Sequence, residues 1–143
     1  MSPRTKNWLT AYVVSAVIFA VLDVVWILLV ANPQYQSQIG HLLAPKANLA
    51  GAVLFYVIFV AGMVHYGVRP NSPDATGRQR VTGAAWFGFF TYATWALTGL
   101  AVLKDFPAVV ALTDILWGAA ACSIVTWATA TLLRHRLGRP AAA

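Results

Sequence analysis

The chain contains no glutamate, and four aspartates are its only acidic residues against ten lysines and arginines. Cysteine occurs once, at Cys122, so no disulfide can close within the chain. Zinc or iron–sulfur ligation needs several cysteines or histidines in register, and His41, His65 and His135 have no such spacing. No metal and no cofactor is therefore expected. A glycine-rich phosphate loop is absent, and no serine has a histidine and an aspartate in a sequence context that reads as a triad. Only 10% of the residues are charged, well below the roughly 25% of an ordinary soluble domain. Such low polarity also excludes disorder. The +6 net charge and pI near 10.0 would raise nucleic acid as a partner in a soluble protein. Here the basic residues flank apolar runs with no basic and aromatic interleaving on a soluble surface, so no nucleic acid is expected.

What remains is apolar. Hydrophobic residues make up 59% of the chain and the mean hydropathy is +0.67. About 20 apolar residues suffice for a helix to cross the hydrocarbon core of a bilayer. Four runs qualify, at about 9–31, 48–68, 81–103 and 107–133. The expected fold is an all-α integral membrane four-helix bundle, one transmembrane domain over 1–143. The apolar run behind the basic residues 1–6 is too long for a cleaved signal and reads as a first span. Segment 32–47 reads as an outer loop with a short interfacial helix near 35–43. Segment 69–80, rich in turn formers, reads as a solvated linker.

Arg4, Lys6, Arg69, Arg78, Arg80, Arg134, Arg136 and Arg139 fall on one side of these spans, and only Lys46 and Lys104 on the other. Positive charge is retained on the cytoplasmic side, so both termini are expected there, in a multi-pass protein of the cytoplasmic cell membrane. The same residues read as contacts to lipid headgroups. Trp8, Tyr12, Tyr66 and Trp127 near span ends fit ordinary aromatic belts.

Two of the four aspartates stand inside apolar runs, each followed three residues later by tryptophan: Asp23 with Trp26 and Asp114 with Trp117. A carboxylate at mid-membrane costs about 2.5–3.5 kcal/mol on insertion scales, so such residues face the bundle interior and mark sites. With the topology above, both lie roughly 10–12 Å below the outer boundary at 1.5 Å per residue. Tyr56 and Phe55 of the second span, and Thr94, Trp95 and Thr98 of the third, share that depth. Their hydroxyls are expected to satisfy the carboxylates, because an unpartnered polar group in hydrocarbon is costly. Helical spacing sets Tyr12, Ser15, Phe19, Asp23 and Trp26 on one stripe, Gly88, Tyr92, Trp95 and Gly99 on another, and Gly51, Phe55, Gly62 and Tyr66 close to a third. The glycines are read as packing sites, and Cys122 as a small packing residue. Adjacent aspartates would share a proton and titrate together, as a general acid, a proton carrier or a cation site. The tryptophans add π faces suited to a cationic or flat apolar ligand. A purely architectural role, with the aspartates fixing helix register, stands beside these.

Asp23 with Trp26, Tyr35, Gly40-His41-Leu42-Leu43, Leu54-Phe55-Tyr56 with Gly62, Gly88, Tyr92-Ala93-Thr94, Leu97-Thr98, and Thr113-Asp114 with Trp117-Gly118 together resemble a family of small bacterial predicted membrane proteins known only as a domain of unknown function. The likeness runs from about residue 20 to 120. It implies a four-helix bundle in the bacterial inner membrane and brings no established activity. Members often carry an acidic residue after the aromatic of the third span and an asparagine three positions on; here these are Ala96 and Gly99. Three functional classes fit. The first is binding, with chemical modification left open, of a lipid-like or other apolar small molecule at Asp23, Trp26, Tyr56, Trp95, Thr98, Asp114 and Trp117. The second is transport of protons or organic cations, as a homo-oligomer. The third is a non-catalytic assembly partner using the basic tail 134–139 and the small-residue face 118–122. Membrane lipids are expected partners in each.

Overall fold

Ser2 begins the first helix by accepting the Thr5 N–H, with Pro3 in the first turn where its missing donor is harmless. This helix, α1 (Pro3–Trp26), continues past the expected end at residue 31. One π-helical turn, Ile27–Ala31, leads into α2 (Asn32–Ile39) and a 3-10 turn, Gly40–Leu42, so that one helical segment of 40 residues runs from Pro3 to Leu42. Asn32-Pro33 reads as a stop because proline lacks a donor and its ring clashes with the carbonyl four residues back. The wider π turn relieves that conflict: Asn32 N–H bonds to Ile27 O, five residues back. Segment 32–47 is therefore mostly helix stacked on α1. The structure is a computed structural model and describes residues 1–137, with side chains to 135. Arg139 lies outside the described residues.

Asn48 caps α3 (Leu49–Met63) by accepting the Gly51 N–H at 3.1 Å, and a π-helical turn, Val64–Val68, extends it to a left-handed Arg69. A capping box between Thr76 and Gln79 starts α4 (Gly77–Val102). Pro107 precedes α5 (Ala108–Leu132), and α6 (Arg134–Leu137) is a last short turn. Every regular element among the described residues is helical. Three segments are long and apolar enough to cross a membrane: Pro3–Leu42, Leu49–Val68 and Ala108–Leu132. At 26 residues α4 is longer than the second and third of these, but Arg78, Gln79, Arg80 and its threonines and glycines dilute its apolar character.

The packing is that of a membrane protein, with bulk outside and small residues within. On α1, Ala11, Ser15, Phe19 and Asp23 are buried while Val13, Val17, Val21 and Val24 are exposed. Helices α4 and α5 touch through backbone: a Cβ on Gly88 would lie 2.0 Å from the Gly118 carbonyl oxygen. Cys122 is fully buried beside this crossing. Ser15 and Thr129 share a hydrogen bond of 3.1 Å between α1 and α5.

Helix α3 is packed along only half its length. Its buried residues begin at Phe59 and run through Val60, Met63, Val64 and Val68, while Leu49, Val53, Leu54, Phe55 and Ile58 are exposed. The inward stripe expected through Gly51, Phe55, Gly62 and Tyr66 is thus corrected: Gly51, Phe55 and Tyr66 are exposed and Gly62 is half-buried. Glycines explain the asymmetry. Gly62 admits the Phe87 ring and Gly67 admits Ala84, with Cβ-equivalent approaches of 2.6 and 2.7 Å. Further along, α3 meets α4 through bulky rings, Phe59 against Phe87 and Tyr92 with centroids 5.3 and 5.8 Å apart.

Segment 69–80 is a built corner, where the sequence led us to expect a solvated linker. Arg80 is buried and donates to the carbonyls of Val68, Arg69 (2.6 Å), Ser72 (2.7 Å) and Ala75 (3.2 Å). Those acceptors are the orphan carbonyls of a helix end and a turn, which suit a planar fork of donors. Asn71 then donates to Arg4 O at 3.2 Å, joining this corner to the start of α1.

Candidate functional site

Asp23 is 6% exposed in the middle of the bundle. Its Oδ2 accepts the Tyr56 hydroxyl from α3, and its Oδ1 accepts Trp117 Nε1–H from α5 at 3.1 Å. The Trp26 ring, one turn along α1, stacks on Trp117 with centroids 4.2 Å apart and planes 3° from parallel. One carboxylate and one stack thus pin three helices at a single level. Both oxygens of Asp23 are committed to protein donors.

Asp114 is differently served. It is 4% exposed, and its Oδ2 accepts the Tyr35 hydroxyl at 2.5 Å. The preceding residues form a parallel link, Gln34 Nε2 to Thr113 Oγ1 at 3.1 Å. Helix α2 is therefore clipped to α5 by two adjacent bonds. The Trp95 indole of α4 lies beside the same carboxylate. The two Asp-x-x-Trp motifs meet without mirroring each other: Trp117 turns to Asp23, whereas Asp114 turns to Tyr35. No hydrogen bond joins the two carboxylates among the described residues.

Where α3 leans away from α4, a cavity of about 360 Å³ opens, lined by Tyr35, Phe55, Phe59, Tyr92, Trp95 and Asp114, with Thr91. That volume falls in the range of roughly 300–1,000 Å³ typical of small-molecule pockets. Its rim residues Phe55 and Trp95 are 42% and 53% exposed, so it opens sideways. The Thr91 hydroxyl is bonded to the Phe87 and Gly88 carbonyls of its own helix, so its polar atom is already engaged. Among the described residues Asp114 is the only carboxylic acid in the lining, and no lysine, arginine or histidine joins it.

Of the residues singled out from the sequence, Asp23, Trp26, Tyr56 and Trp117 form one cluster, and Asp114 and Trp95 line the cavity. Thr98 is exposed on α4 and has no side-chain hydrogen bond among the described residues. Thr94 bonds to the Phe90 carbonyl at 2.7 Å. The expectation that threonine hydroxyls would satisfy the aspartates is thus corrected. A threonine hydroxyl in a helix falls back on the carbonyl one turn earlier, whereas a tyrosine reaches the neighbouring helix. Sequence reasoning missed the role of Tyr35, because it ended the helix before Pro33, and did not include Phe59 or Tyr92 among the site residues. Ala96 and Gly99 are buried against a core that includes Phe106, whose ring lies 3.4 Å from a Cβ built on Gly99.

Residues 8–131 match the model of one family, described as a predicted membrane protein (DUF2177). No curated protein and no solved structure matches the chain.

Proposed function

The chain belongs to this family of predicted membrane proteins of unknown function, and from that premise we propose that it binds a lipid-like or other apolar small molecule in the cleft between α3 and α4. The observation that carries this reading is the aromatic cavity of about 360 Å³ with a lateral mouth between Phe55 and Trp95. An apolar ligand dissolved in the bilayer reaches such a mouth without crossing water. We read α4 as the fourth span, the molecule as a multi-pass protein of the cytoplasmic membrane, and the side bearing Arg4, Lys6, Arg69, Arg78 and Arg134 as cytoplasmic. On that reading the cleft faces the outer leaflet. Asp23, with both oxygens engaged, serves to hold the helices, and Asp114 is the group left for a ligand.

Native mass spectrometry of the protein released from nanodiscs tests this. We expect a retained small molecule in the wild-type protein and its loss in Thr91→Trp, which fills the cavity. Near-UV circular dichroism of the Trp26–Trp117 stack verifies that the variant is folded. A wild-type protein that carries no adduct, and whose thermal midpoint is unmoved by extracts of its own membrane, overturns the reading.

A further inference from the structure

We infer that the occupant of this cleft carries an organic cation, a protonated amine or quaternary ammonium, on an apolar body, with the cation seated between Asp114 and the surrounding rings. This rests on the reading of the cleft as a ligand site and adds the chemical class of the ligand.

Three observations converge. The first is an unfinished hydrogen-bond inventory. Asp23 has a donor on each oxygen, but Asp114 has one full hydrogen bond, from the Tyr35 hydroxyl, with the Trp95 indole of the cavity wall beside it. Asp114 is 4% exposed yet lines the cavity, so a ligand meets its carboxylate from inside the cleft. The second is charge. Among the described residues no lysine, arginine or histidine lines the cavity, and a cation entering it would compensate a carboxylate that has no basic partner there. The third is the wall itself. Tyr35, Phe55, Phe59, Tyr92 and Trp95 surround the acid, and aromatic faces attract a cation held within about 6 Å of the ring centroid. The Tyr92 ring stands edge-on to Phe59 at 5.8 Å, so the faces around the cavity point in different directions, as in a cage. The same wall repels phosphate and fatty-acid carboxylate, which excludes anionic lipid headgroups from this seat. The apolar body leaves through the mouth between Phe55 and Trp95 toward lipid.

The test is isothermal titration into the full-length protein in nanodiscs of zwitterionic lipid, with two matched probes. One is dodecyltrimethylammonium; the other is its neutral carbon isostere, with a tert-butyl group in place of the trimethylammonium. We expect the cation to bind roughly tenfold or more tighter than the isostere, since both desolvated ion pairing and cation–π attraction favour it. That preference is expected to collapse in Asp114→Asn. Trp95→Leu, at an exposed rim position where folding is not at stake, is expected to reduce it several-fold, roughly in line with the loss of one ring. Equal binding of the two probes by the wild-type protein overturns this inference and leaves the cleft as an apolar site. A cation preference that survives Asp114→Asn in a folded protein also overturns it. Binding of neither probe overturns both this inference and the proposed function.

Discussion

Asp23 and Asp114 have the same sequence surroundings and opposite situations. What separates them is the number of donors within reach. Asp23 lies where α1, α3 and α5 converge, and receives a tyrosine and a tryptophan. Asp114 lies where α3 has moved away, and receives one full hydrogen bond, from Tyr35, with the Trp95 indole beside it. Interhelical polar bonds in membranes average about 0.6 kcal/mol and reach about 1.7, because the unfolded chain in lipid also finds partners. Trp117→Phe removes the bond to Asp23 and keeps a ring for Trp26 to stack on. We expect it to destabilise the protein by about 0.6–1.7 kcal/mol, measured by denaturation in mixed micelles. A loss above that range would mean that the tryptophan volume, and not its N–H, holds the junction.

At the scale of elements, the decisive feature is the π-helical turn before Pro33. It inserts one extra residue into the helix, and each residue rotates the following segment by about 100°. The register of α2 against α5, and with it the reach of Tyr35 to Asp114, therefore depends on that turn. Pro33→Ala restores a donor and removes the ring clash, so the turn is expected to relax to ordinary α-helix and to swing Tyr35 off Asp114. Cysteines in place of Gln34 and Thr113, in a Cys122→Ser background, report this: a disulfide forms readily with Pro33 and slowly or not at all with Pro33→Ala. Unchanged crosslinking would show that the clip between α2 and α5, and not the proline, sets the register. The glycine crossing of α4 and α5 is the other fixed element, and it leaves α5 as the helix around which the others are arranged, with buried residues from Val110 to Thr129.

For the whole molecule, the close packing of α3 at one end and its departure at the other create the cleft. The end at which it opens relative to the membrane follows from topology. On the proposed orientation Lys104 lies outside and segment 69–80 inside. We expect Lys104→Cys to react with an impermeant maleimide added to intact cells, and Asp74→Cys to react only after lysis. Fully buried Cys122 supplies a silent background for both. Reversed labelling would turn the cleft toward the inner leaflet.

Membrane character, helical class and the identity of the two intramembrane aspartates were legible from composition and spacing, because these depend on summed hydropathy and on a 3.6-residue period. The helical segments Leu49–Val68, which is α3 with its π-helical turn, and Ala108–Leu132 begin and end within a residue of the apolar runs at 48–68 and 107–133. Three things were decided only in three dimensions. The helix crossed Pro33, because a local widening is cheaper than ending a helix whose next turns can pack. The turn-rich segment 69–80 became ordered around Arg80, because a run of orphan carbonyls attracted a buried guanidinium. Tyr56 meets Asp23 as its depth in the sequence implied, but the other donors are Tyr35 and Trp117 and not threonines, because side-chain reach between helices is a property of the packed bundle. Sequence period determines which face a residue occupies. The distance between two faces is set by the small and large residues that meet there, and that distance made one aspartate a fastener and left the other open to a cleft.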